Sequence, residues 1–215
     1  MTLTLFSEGK SLTILEVIRG LVSEKGKVES ALHEVKPEVV FLSIAPEELG
    51  ALRDWKGKDA GPATLEEKLY VQGLEEFGEV SKPPQCFLAA LAHEKEMGFK
   101  VKAVDMEEER FSAMYCQAVT GIDLMRMNMR KGSLARAKFN LSSPEAFVKD
   151  WDRRIHAVPG LRKVDLNREA HIAKRTVELM KEVKNALLVV EIERAEGVVR
   201  QLGRKGWGEK AQLKV

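Results

Sequence analysis

One pattern constrains this chain more than any other. Short apolar runs rich in β-branched residues alternate with longer stretches of helical periodicity. The runs are Leu12–Ile18, Val39–Ile44, Phe99–Val104 and Ala186–Ile192, with Leu3–Phe6 placed to pair with the first. Val39-Val40-Phe41-Leu42 and Leu187-Leu188-Val189-Val190 are apolar without a break, as strands covered on both faces must be. Phe99–Val104 instead alternates apolar with Lys, which suits a strand near a sheet edge.

The text between the runs predicts helices. Ser23–Lys36 carries Val28, Ala31, Leu32 and Val35 on one stripe, with Ser23 as N-cap and a stop before Pro37. Pro46–Trp55 opens with a first-turn proline, and Thr64–Phe77 with a Thr-Leu-Glu-Glu capping box. Pro84–Met97 runs to Gly98, a good residue for leaving a helix. Met106–Gly121 and Ile122–Lys131 form one interrupted region, Ser143–His156 another, and Asp165–Lys184 the last, with Pro159-Gly160 as the break before it. Strand and helix in alternation predict an α/β protein: a central, mainly parallel or mixed sheet flanked by helices. We expect one domain over residues 1–202, with a helical insertion at about 106–159 and a basic tail over 203–215.

Composition narrows the classes. With 215 residues, 44% hydrophobic and 32% charged, the chain is too apolar for disorder, and about 70% of its unfolded surface can be buried. The net charge of +2 demands no polyanionic partner. The tail, with Arg204, Lys205, Lys210 and Lys214 around Trp207, reads as a frayed or packing arm and not as a nucleic-acid contact. No apolar run approaches the roughly 20 residues that cross a bilayer, and the opening lacks the pattern of a signal peptide. Cys86 and Cys116 are the only thiols, so no disulfide framework is expected, and the expected location is the cytoplasm. Abundant charge with few Asn, Gln and Cys matches heat-adapted proteins.

Several familiar sites are excluded. Gly9-Lys10-Ser11 lacks the upstream glycine of a phosphate loop and precedes strand-like text, so a hairpin turn is expected. His33, His93, His156 and His171 show no zinc-motif spacing, and no GxSxG elbow is present. No cofactor is expected. The candidates come from topology, because α/β sheets gather chemistry beyond the carboxyl ends of their strands. Those positions are Ser43 with Glu47 and Glu48, Asp105 with Glu107, and Glu191 with Glu193 and Arg194. Arg168, His171 and Arg175 share a helix face by their spacing. Converged in one cleft, such groups would hold Mg²⁺ or Mn²⁺ through oxygens, or an anion through arginine forks; the alternative is helix caps and a surface ion-pair network. Met125, Met127 and Met129, preceded by Met114 and Tyr115, suit either core packing or a homodimer surface.

Three ordered segments also carry a family resemblance. Val17–Glu24, a helix, and Lys36-Pro37-Glu38-Val39-Val40 resemble a VGTAHVS opening followed by a KPDVV strand, with Ser43–Glu48 standing where the family has VELCPER. Gly98–Asp105 is similar to GAEVVLID. Asn167–Ala173 resembles ERDxYMA and is followed by Val189–Val198 against VVGAGHVEGI. This is the pattern of the TraB/PrgY group, in the superfamily that also holds Tiki, ChaN-like and erythromycin-esterase-like proteins. The departures fall on the family's chemical residues: Leu21 for the GTAH histidine, Ser43 for the VEL glutamate, Glu48 for the arginine after it, Glu191 for the first glycine of GAGH and Arg194 for its histidine. Asp105, Arg168 and Gly197 are retained. The resemblance therefore implies a TraB-like scaffold without the family's catalytic constellation, and a non-catalytic binding or interaction role. The alternatives are a metal-dependent hydrolase with its ion near Asp105, Glu191 and Glu193, and an anion site of Arg168, Arg175 and Arg194.

Overall fold

A computed structural model describes residues 2–57, 61 and 64–209. Most of the polar loop Lys56–Pro62, and Lys210 and Lys214 of the tail, lie outside the described residues. Five strands form one sheet in the order β1-β2-β5-β3-β4: β1 Thr2–Ser7, β2 Lys10–Val17, β3 Val39–Leu42, β4 Lys100–Ala103 and β5 Asn185–Glu191. β1 is antiparallel to β2; every other pairing is parallel. The sheet is therefore mixed, and mostly parallel. β4 sits at an edge, in keeping with its alternating lysines. Glu8 and Gly9 turn the β1–β2 hairpin with φ of 48° and 76°, the left-handed pair that a two-residue hairpin needs. Gly9-Lys10-Ser11 is thus a hairpin turn.

Strand alternation divides the core into two layers. Leu12, Ile14, Val39, Phe41, Ala186, Leu188 and Val190 face helices α8 (Pro159–Met180) and α9 (Ile192–Gly203). Leu15, Val17, Val40, Leu42, Leu187 and Val189 face α1 (Glu24–Val35), α2 (Pro46–Arg53) and α4 (Gln85–Met97). Both faces of β5 are covered, which is why its sequence shows no polar interruption. The remaining helices, α3 (Leu65–Glu75), α5 (Glu108–Ala118), α6 (Gly121–Ala135) and α7 (Pro144–Ile155), build two smaller clusters, one of them around Phe147 and Leu74 and extending to the ends of β2 and β5. No helix among the described residues is long and apolar enough to cross a membrane.

Three local expectations need correction. Ser23 makes no side-chain cap; its backbone is already helical. Pro159-Gly160 does not separate two helices by a loop but opens α8, with Pro159 at the first turn where its missing N–H costs nothing. The last strand stops at Glu191, and Ile192 begins α9 with no intervening loop. The alternating methionines do not share one role: Met127 packs inward, whereas Met125 and Met129 are exposed. The described part of the tail, up to residue 209, packs: Trp207 is buried against the α8–α9 layer and Gly208 pairs with Phe6.

Candidate functional site

Because β2, β5, β3 and β4 run parallel, their carboxyl ends open on one edge of the sheet. Each delivers polar residues there: Arg19 beyond β2, Ser43 beyond β3, Asp105 beyond β4, and Glu191 at the end of β5. The abrupt switch from β5 to α9 puts Glu193 in the first helical turn, where the helix dipole favours a carboxylate, and Arg194 beside it. α8 adds Asp165 and Arg168, and α2 adds Glu48.

These groups form a bonded network and not a surface scatter. Ser43 Oγ donates a short hydrogen bond to Glu191 Oε2. Arg19 lies 3.6 Å from the other Glu191 oxygen and donates to Glu48 at 2.5 Å. Arg168 forks onto Asp105 Oδ2, with its Nε at 2.9 Å, while Asp105 Oδ1 accepts the Met106 amide at 2.8 Å. Arg194 donates to Asp165 Oδ1 at 2.6 Å. The Arg168–Asp105 and Arg194–Asp165 pairs are largely withdrawn from water, so losing one partner strands a buried charge.

A cleft of about 340 Å³ opens over the network, between α3, α7 and the strand ends. Arg19, Arg168, Glu191, Glu193 and Arg194 form its floor, and Tyr70, Trp151, Asp152 and His156 belong to its walls. Two adjacent carboxyl groups differ sharply there. Burial opposes the charge of Glu191, but Arg194, Arg19 and Arg168 together outweigh it and hold this carboxyl below its usual range. Burial and then the charge of Glu191 push Glu193 up to about 7. Glu193 Oε2 is enclosed and has no hydrogen-bond partner among the described residues, and Arg194 Nε is in the same position. Burial and the same two carboxylates also raise the Tyr70 phenol, which therefore stays protonated.

The structure thus brings Ser43, Asp105, Arg168, Glu191 and Arg194 to one end of the sheet. Arg168, Glu191 and Arg194 line the cleft directly; Ser43 and Asp105 brace them from behind. His171 and Arg175 do not line the cleft. Arg175 is exposed and pairs with Glu178, and His171 is pushed below its ordinary value by burial and Arg110. Asp105, Glu191 and Glu193 do not converge as a set of metal donors among the described residues, because Arg168 and the Met106 amide already occupy Asp105. Sequence reasoning missed Arg19, Tyr70, Asp152, His156 and Asp165. Only the i, i+4 spacing of Asp152 and His156 offered a signal. No protein-family model matches the chain, and no curated protein matches it.

Proposed function

We propose that this chain is a non-catalytic binding protein on a TraB-like scaffold, and that its cleft takes a small organic cation. The scaffold reading is supported by the convergence of the resembling segments: those after β2, β3 and β4, the Arg168 helix, and the end of β5 all meet at one sheet edge. The imidazole positions of the family are filled by Leu21, which is buried against apolar neighbours, and by Arg194, which is committed to Asp165.

One observation carries the ligand class. The cleft's three arginines are already paired with carboxylates, while Glu193, which lines the cleft, holds an enclosed oxygen that nothing among the described residues satisfies. An ammonium or guanidinium would supply the missing donor, and Trp151 and Tyr70 would offer it aromatic faces. Among the described residues, the anion alternative has only the Arg194 Nε of the cleft's guanidiniums to draw on, since all three arginines are otherwise committed to carboxylates. The free thiols, with Cys86 buried and pushed up to about 12, suit a reducing cytoplasm. Thermal shift in the presence of a chelator tests the reading at pH 8. Agmatine should raise the melting temperature, succinate should not, and Glu193→Gln should remove the response; equal response to both ligands would reject it.

A second reading rests on α6, which exposes Ile122, Leu124, Met125 and Met129. We propose this face as a homodimer surface. Light scattering should show a dimer that Met129→Glu dissociates; a monomer at high concentration would discard it.

A further inference from the structure

On the wall of the cleft, α7 and α8 bring together three donor atoms that neither the ion-pair network nor the cation reading uses. His156 Nδ1 lies 2.7 Å from Asp152 Oδ1, one helical turn earlier, and 3.1 Å from Asp165 Oδ2 across the α7–α8 junction. All three side chains are largely withdrawn from solvent, at 22%, 28% and 15% exposure. Ionised carboxylates only accept hydrogen bonds, so a hydrogen on Nδ1 fills the space between them. An ion with ligands 2.0–2.2 Å away would set neighbouring donors about 3.0 Å apart at right angles, or about 3.4 Å at the tetrahedral angle. The two separations from the imidazole nitrogen, 2.7 and 3.1 Å, lie on either side of the first value, and all three donor atoms lie within 4.8 Å of one another. We infer that Asp152, His156 and Asp165 form a site for a divalent transition metal, the ion taking the place of that hydrogen.

Further observations point the same way. Arg194 holds the other Asp165 oxygen at 2.6 Å, fixing the carboxylate so that Oδ2 turns towards His156, as outer partners of metal ligands do. From α9, Glu193 lines the same cleft, its enclosed Oε2 without a partner among the described residues and its carboxyl near enough to Asp152 for their charges to repel. A nitrogen with two carboxylates selects Zn²⁺, Co²⁺ or Mn²⁺ over Mg²⁺ or Ca²⁺, which prefer all-oxygen sites. The three residues are the one such group among the described residues. Bound there, the ion would clip α7 to α8 and close one side of the cleft. The inference does not depend on the cation reading.

The test uses chelator-treated, full-length protein and Co²⁺ or Zn²⁺ alone. Co²⁺ should bind at one equivalent with a visible absorption band, and Zn²⁺ should displace it and raise the melting temperature. His156→Ala and the milder Asp152→Asn should each weaken Co²⁺ binding by tenfold or more. His93→Ala should leave it unchanged, although His93 also neighbours two carboxylates, Glu29 and Glu96. The inference is overturned if Co²⁺ gives no band with the wild-type protein, or if binding survives in folded His156→Ala and Asp152→Asn. Agmatine binding measured in chelator is read separately, so either claim can fail alone.

Discussion

Replacing Glu193 with Gln should make the protein more stable, and only above a definite pH. Glu193 is pushed up to about 7 in the folded chain by burial and by Glu191, against an ordinary value of 4.5. Below pH 4.5 both folded and unfolded states hold the proton, and a neutral Gln should match a neutral Glu. Between 4.5 and about 7 the unfolded chain ionises first, so wild-type stability falls by about 1.4 kcal/mol per pH unit relative to the variant. Above pH 7 the difference should level off at about 3 kcal/mol, the upper bound if the Glu191 charge is unchanged. Urea unfolding of both proteins at pH 4.5, 6 and 8, with slopes compared to confirm a common unfolded state, reads this directly. An advantage that is equal at pH 4.5 and 8, or a variant less stable than wild type at pH 8, would refute the account of the cleft floor.

Three further outcomes follow from packing and pairing. Arg168→Ala should cost about 3–5 kcal/mol in chemical denaturation, because Asp105 is left buried and charged, and adding Asp105→Asn should restore much of the loss. Gly197→Ala would put a methyl group 1.9–2.2 Å from the Glu169 carboxyl, so about 1–3 kcal/mol should be lost, and less when Glu169→Ala is made as well. Trp207→Ala should lower stability by about 3–5 kcal/mol if the arm is part of the core, whereas an idle tail would show no change.

The sheet was legible because burial on both faces leaves a plain mark: β3 and β5 have no solvent face on which to place a polar residue, and edge strand β4 does. α9 was hidden for the opposite reason. Its apolar positions, Ile192, Ala195, Val198 and Leu202, keep helical spacing, but they follow β5 without a turn signal, and Gly197 in their midst argues against a helix. That glycine is there because Glu169 occupies the space a side chain would need. At the site, residues fixed by topology were readable, since strand ends can be counted along the chain. Arg168 could be grouped with them from its helix-face spacing, yet its bond to Asp105 could not be read, and Arg175 on the same predicted face points elsewhere. Tyr70, Asp152 and His156 come from helices whose docking over the sheet edge depends on the cluster around Phe147, a long-range arrangement that no local spacing encodes.

The central claim is that the half-ionised carboxyl of Glu193 meets the ligand's positive charge. Calorimetric titration of agmatine at pH 7, in two buffers of different ionisation heat and with chelator present, counts the protons released on binding. A group near pKa 7 that becomes ionised in the complex should release about half a proton per agmatine, falling to zero in Glu193→Gln. Binding with no proton release in the wild-type protein, or with the same release in the variant, would contradict the account.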